Sequence, residues 1–224
     1  MQLELRFSKI LAKHFWGDST ISLVTVNNFN PKEGNSNLKS LKILSNKSKT
    51  YKFLKRLNFP LPLWFEATNQ KELFKYINLL IFKKKDVVIK PSVSRGGRNV
   101  YIVSKGQKSE IFSNEGRHIK LNINTLKKKY LKKIKKNYPV IVMEKLNNPS
   151  FDFDMLCKNG QLIKGVARRR VNPTVPNDGH YIEERSDIYK IGEKLAKCLK
   201  LSWLYDCDFM IDDKKKTSDN WDKS

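Results

Sequence analysis

From Lys47 onward the apolar positions of the chain fall into clear periods. Tyr51, Leu54 and Leu57 share one helical face, and Pro60 and Pro62 end the helix they predict. A second amphipathic helix carries Leu73, Tyr76, Ile77, Leu80 and Ile81 on its apolar side. The run VVIKP (87–91) then predicts a buried strand, SVSRGGRN (92–99) a glycine loop, and VYIV (100–103) the returning strand of a hairpin. A lysine-rich helix is expected near 124–136 and a strand at VIVME, 140–144. FDFDMLC (151–157) alternates, with Asp152 and Asp154 on one face and Phe151, Phe153 and Met155 on the other. KNGQ (158–161) turns it into LIKGVARRR. Ile188, Ile191, Leu195, Cys198 and Leu199 mark a helix over 187–200. LYDCDFMI (204–211) closes the pattern as a strand with Asp206 and Asp208 opposite Cys207 and Phe209. The succession is that of an α+β protein. Residues 1–45 yield less: ISLVTV (21–26) reads as a strand and NNFNPKEGNSN (27–37) as a loop.

Composition narrows the class. With 39% hydrophobic and 11% aromatic residues, the 224-residue chain can bury a core. No apolar run reaches the roughly 20 residues of a membrane span, and the first residues lack the pattern of a secretory signal. Cys157, Cys198 and Cys207 are far apart and read as free thiols in a reducing compartment, which points to the cytoplasm. The formal charge of +23 permits contact with nucleic acid. The chain is also crowded with Lys, Asn and Ile, so the runs Lys83–Lys85, Lys127–Lys129 and Lys214–Lys216 read first as solvated helix ends and turns.

Four features carry candidate chemistry. Lys90 ends a buried strand, where a cation calls for an anionic partner. Just beyond it Gly96 and Gly97 let backbone N–H groups approach a phosphate, with Ser92, Ser94, Arg95 and Arg98 as further donors. No helix-opening phosphate loop of the G-x-x-x-x-G-K-[ST] type is present. The strand that runs into Glu144 offers an edge for a flat base. Asp206 and Asp208 suit Mg²⁺, which takes one or two carboxylates together with phosphate oxygens. Arg168–Arg170 could clamp a phosphate or carboxylate.

The order NKSKTYKFLKRLNFPLP, VVIKPSVSRGGRNVYIV, VIVMEKLNNPSFDFDML, GVARRRV and YDCDFMID resembles the ATP-grasp superfamily over roughly residues 45–213. It is similar to the ATP-binding units of the carbamoyl-phosphate synthetase large subunit and to stand-alone carboxylate–amine ligases. The resemblance implies an ATP-grasp fold, with two α+β subdomains clamping ATP, and ATP and Mg²⁺ as cofactors. It also implies small-molecule carboxylate and amine (or thiol) substrates joined through an acyl-phosphate. Lys47 and Lys90 would contact phosphates, and Gly96 and Gly97 would belong to the loop that closes over them. Glu144 and Leu146 would lie at the adenine hinge, and Ser150 would stand where the family has a Glu on the ribose. Arg170 would face the transferred phosphoryl group and Asp208 would be the first metal ligand. The family's next strand carries a Glu-x-Asn pair, and the tail KKKTSDNWDKS has neither that pair nor a strand pattern. Residues 1–45 are read as the remnant of a preceding domain, 46–213 as the ATP-grasp domain and 214–224 as a polar tail in place of the metal-site strand. Both ends thus read as trimmed. VNPTVPNDGHYIEE (171–184) is read as a turn-rich lining of the acceptor side, with His180 a loop residue. Three readings follow: a weakly active or inactive ligase, a module that binds ATP or another polyanion without turnover, and a basic nucleic-acid-binding protein.

Overall fold

The helix expected after residue 46 is opened by Asn46, whose side chain accepts from the Lys49 N–H and satisfies one donor that a helix start leaves open. The computed structural model describes residues 2–6, 38–94, 99–112, 118–172 and 178–210. The expected strand at 21–26, the loop at 27–37, Gly96, Gly97 and the tail 214–224 lie outside them. Helix α1 (Leu38–Leu44) leads into α2 (Lys47–Arg56), and α3 (Gln70–Phe82) is capped by Asn69, which accepts from the Glu72 N–H.

One sheet has six strands in the order β2-β7-β3-β4-β6-β5. These are β2 (Trp64–Ala67), β7 (Val140–Glu144), β3 (Val87–Pro91), β4 (Val100–Val103), β6 (His118–Leu121) and β5 (Ile111–Phe112). All its pairs are antiparallel except β4 with β6. The lysine-rich segment before β7 is α4 (Ile123–Thr125), a π-wound turn (Leu126–Tyr130) and α5 (Leu131–Lys135), where one unbroken helix was expected. The reason lies in the spacing of its two buried residues, Leu126 and Ile134. Their separation overshoots two α-helical turns of about 3.6 residues, and the wider π-turn absorbs the excess.

The other sheet has five antiparallel strands in the order β1-β11-β8-β9-β10. They are β1 (Gln2–Arg6), β11 (Trp203–Met210), β8 (Ser150–Lys158), β9 (Gln161–Arg170) and β10 (His180–Glu183). Helix α6 (Ser186–Leu199) connects β10 to β11. The alternation in β8 and β11 sorts their faces: Phe151, Phe153, Met155, Tyr205, Cys207 and Phe209 are all in one core with α1, α2 and α6. Among the described residues no helix is long and apolar enough to cross a membrane, and all three cysteines are free thiols.

Helix α2 serves both sheets. Leu54 enters the core of the five-stranded sheet, whereas Tyr51 packs with Ile141 and Met143 of β7. Ser48 and Lys52 both bond Glu66 of β2. Strands β2, β5 and β6 and helix α1 were not foreseen, because their short runs carry no decisive period.

Phe153 is wedged between two glycines. A Cβ at Gly165 of β9 would overlap its Cζ, and one at Gly192 of α6 would overlap its Cε1. Phe153 is fully enclosed, so it has no room to give way. Gly165→Ala is therefore expected to cost about 1–3 kcal/mol by overpacking. Urea unfolding of the two chains measures it, and an unchanged midpoint would contradict the wedge.

Candidate functional site

The polar face of the five-stranded sheet is arranged in rows. Asp208, Asp152 and Arg168 stand side by side across β11, β8 and β9, and Asp206 and Asp154 form the next row. Arg170 ends β9 and reaches β8 and, beyond it, β11. Its Nε donates to Asp152 Oδ2 at 2.8 Å, its Nη2 donates to Asp208 Oδ1 at 2.6 Å, and Nη2 also bonds Asp152 Oδ1. Arg168 holds Asp154, with Nη2 3.0 Å from Oδ1, and Arg169 pairs with Glu183 on the opposite face. The triple arginine is thus neither a surface run nor one clamp: alternation divides it, and two of its members meet the carboxylates.

His180 corrects the loop reading. It opens β10, directly across from Arg170, and its Nε2 lies 3.0 Å from Asp152 Oδ2. Part of the stretch read as turn-rich is therefore a strand, formed because HYIE can pair along the outer edge of β9.

Charge balance sets the titration of this face. Burial alone would raise Asp152, but hydrogen bonds, chiefly from Arg170, hold its carboxyl well below the usual range. Asp206 goes the other way: burial and the charges of Asp208, Asp152 and Asp154 push it up to about 8, with Arg168 offsetting part. Burial opposes the charge of Arg170, yet Asp152 and Asp208 together raise its pKa. One carboxylate oxygen from each of Asp152, Asp206 and Asp208 lies within 4.8 Å of the others. Asp206 Oδ1 is buried and has no hydrogen-bond partner among the described residues.

The cationic group lies at the six-stranded sheet. Lys90 of β3 is buried, with Nζ 5.7 Å from the centre of the Tyr51 ring. Lys47, first residue of α2, is tied to the segment after β3: its N–H donates to Ser92 O at 2.8 Å, and its Nζ bonds Ser94 O at 3.0 Å and Ser94 Oγ at 3.2 Å. Ser92 Oγ is buried without a hydrogen-bond partner among the described residues. The two lysines thus bracket the root of the glycine loop.

Glu144 ends β7, but its carboxylate is already engaged. Oε1 accepts from the Leu63 N–H at 2.8 Å, and Oε2 pairs with Lys85 at 3.1 Å. Lys85, read as part of a solvated run, therefore holds the end of β7. The Glu144 and Lys145 N–H groups bond Leu63 O (3.0 Å) and Asp86 O (2.7 Å), and half-buried Leu146 follows in the link to β8. Ser150 opens β8, is buried, pairs with Met210 in the ladder and donates to Asn148 Oδ1 at 3.3 Å. Away from these groups, a cavity of about 600 Å³ between α1 and α2 is lined by Lys39, Lys42, Ile43, Lys49, Lys52 and Arg56.

One sheet carries two lysines around the end of β3, and the other carries a face of buried carboxylates. The model of the ATP-grasp domain matches residues 44–217, and the chain belongs to that family. An uncharacterized protein of Methanocaldococcus jannaschii is 24% identical over 181 residues, 78% of this chain and 39% of that protein. The fold is also similar to the ATP-grasp ligase PsnB complexed with a minimal precursor, Mg and ADP (TM-score 0.55, 15% identity, 80% of this chain and 49% of that one). A D-alanine–D-alanine ligase from Coxiella burnetii gives a TM-score of 0.58 at 16% identity, over 82% of this chain and 48% of that one. The chain thus spans less than half the length of each.

The charge balance predicts how stability varies with pH. Between about 4 and 8 the folded chain keeps the Asp206 proton that the unfolded chain has released, so stability falls as pH rises through this window. Asp152 acts oppositely, and its contribution is lost as pH falls below the ordinary carboxylate value. Without divalent cations, Asp206→Asn should flatten the upper slope and gain on the order of 1–3 kcal/mol at pH 8. Urea unfolding in EDTA across pH 5–8 measures this, and equal slopes in the two proteins would contradict it.

Proposed function

We propose that the chain binds ATP with Mg²⁺ and is the nucleotide-binding part of a ligase that joins a carboxylate to an amine (or thiol) through an acyl-phosphate. The observation that carries this reading is the meeting of Arg170 with Asp208 and Asp152 in a chain of the ATP-grasp family. The three clustered carboxylates are hard oxygen donors of the kind Mg²⁺ takes, and the buried Asp206 oxygen, without a hydrogen bond among the described residues, fits the same use. Bound at Asp208, the cation would neutralise charge on the phosphates.

The remaining roles belong to the chain. Lys47 and Lys90 attract the phosphate chain, and Gly96 and Gly97 let the loop backbone close on it. The hinge offers backbone at Lys145–Leu146 to the adenine, because Glu144 is committed to Leu63 and Lys85. Ser150 supplies one hydroxyl for the ribose. Arg170 is held from two sides, so it meets charge developing on the transferred phosphoryl group with little reorganisation. A carboxylate oxygen of the substrate attacks the γ-phosphorus and ADP leaves; the amine then attacks the acyl carbon and phosphate departs. PsnB bound to its precursor and the D-alanine–D-alanine ligase support an amino-acid or peptide carboxylate as the substrate class.

A second reading draws on the basic cavity between α1 and α2, which suits a polyanion such as nucleic acid bound without turnover. Titration calorimetry with ATP and Mg²⁺ separates the two. Lys90→Ala is expected to weaken ATP at least about tenfold, or roughly 1.4 kcal/mol. ATP binding that ignores Lys90→Ala but falls steeply with salt would favour the polyanion reading. No binding by the folded chain would overturn the ATP reading.

A further inference from the structure

One face of the six-stranded sheet is closed by helices. Val87 and Ile89 of β3, Tyr101 and Val103 of β4 and Leu121 of β6 are buried there with Leu73, Ile77 and Leu80 of α3. Strand alternation therefore turns Val88, Lys90, Val100, Ile102, His118 and Lys120 to the opposite face. Helix α2 covers the β7 side of that face, where Tyr51 packs with Ile141 and Met143 and Val88 lies at the border. Val100 and Ile102 are half-buried and belong to none of the three cores of described residues. With Val88 they form a narrow apolar strip over β3 and β4, a floor suited to a flat ring.

His118 borders that strip. It pairs with Val100, and because Ile89 pairs with Tyr101, Val100 in turn stands beside Lys90. Lys90 and His118 thus flank a single strand, two strand spacings or roughly 10 Å apart along the backbone. Lys145, just past β7, also bears on this histidine: burial first, and then the Lys145 charge, lower its pKa. The half-buried imidazole is therefore neutral near pH 7, with one donor and one acceptor. Adenine presents that complement on one edge, where an acceptor nitrogen adjoins an amino group. Lys120, next on the same face, offers donors only.

We propose that His118 contacts the purine base of the bound nucleotide and so takes part in selecting it. The proposal rests on the reading of the chain as an ATP-binding protein. It adds to that site a residue of β6, a strand outside the motifs that carry the family resemblance.

The test compares ATP with inorganic tripolyphosphate, which has phosphates and no base, in calorimetric titrations of the full chain with Mg²⁺. His118→Ala is expected to weaken ATP at least fivefold and to leave tripolyphosphate unchanged, whereas Lys90→Ala weakens both. In the proton spectrum of the wild-type chain, the imidazole signal that His118→Ala removes should shift with ATP and stay in place with tripolyphosphate. Unchanged ATP affinity in His118→Ala, with a loss in Lys90→Ala, would overturn the role of His118 and leave the ATP reading standing. Equal losses of ATP and tripolyphosphate in His118→Ala, or a signal that moves equally with both, would reject the base contact. A folded wild-type chain that binds no ATP would overturn both readings.

Discussion

Carboxylates brought together out of water repel one another, and the five-stranded sheet is organised around that constraint. Asp152, Asp206 and Asp208 come from two neighbouring strands, and their oxygens lie within 4.8 Å. Arg170 answers the repulsion by bonding across β8 and β11, which fixes the end of β9 against both. Removing one partner from such a buried group costs about 3–5 kcal/mol, because the remaining charge is left uncompensated. One arginine shared by two carboxylates leaves Asp206 with a buried oxygen that accepts no hydrogen bond among the described residues.

Helix α2 carries the constraint to the other sheet. Its Leu54 belongs to the core beneath the carboxylate strands, its Tyr51 packs on β7, and its first residue, Lys47, is bonded to the segment that follows Lys90. Lys47 and the core under the carboxylate strands thus share one rigid element. Glu144 ties the end of β7 to Leu63 and Lys85. Groups far apart in sequence are thereby placed by helix and strand packing rather than by loops.

Much of this was legible in the residues, and the reason is periodicity. The alternation in FDFDMLC and DCDFM announced which residues enter the core, and the helices at 47–56, 70–82 and 186–199 followed from spaced apolar positions. The family was legible from the order of those elements. Relations between strands were not. Asp152 joins Asp206 and Asp208 only through the β8–β11 register, and Arg170 meets Asp152 and Asp208 only because β9 lies beside β8. His180 was hidden by its turn-rich surroundings, and Glu144 looked available because Leu63 and Lys85 are distant in sequence. The π-turn at Leu126–Tyr130 carried no sequence mark apart from the odd spacing of two buried residues.

The central claim is that one nucleotide is held by both sheets at once. Amide hydrogen exchange of the full chain, with and without ATP and Mg²⁺, tests it most directly. The account predicts slower exchange in three places: around Ser92 and Ser94, along Lys145–Asn148, and in β8 and β11 near Asp152 and Asp208. Slowing confined to α1 and α2, or no change in a folded chain, would contradict it.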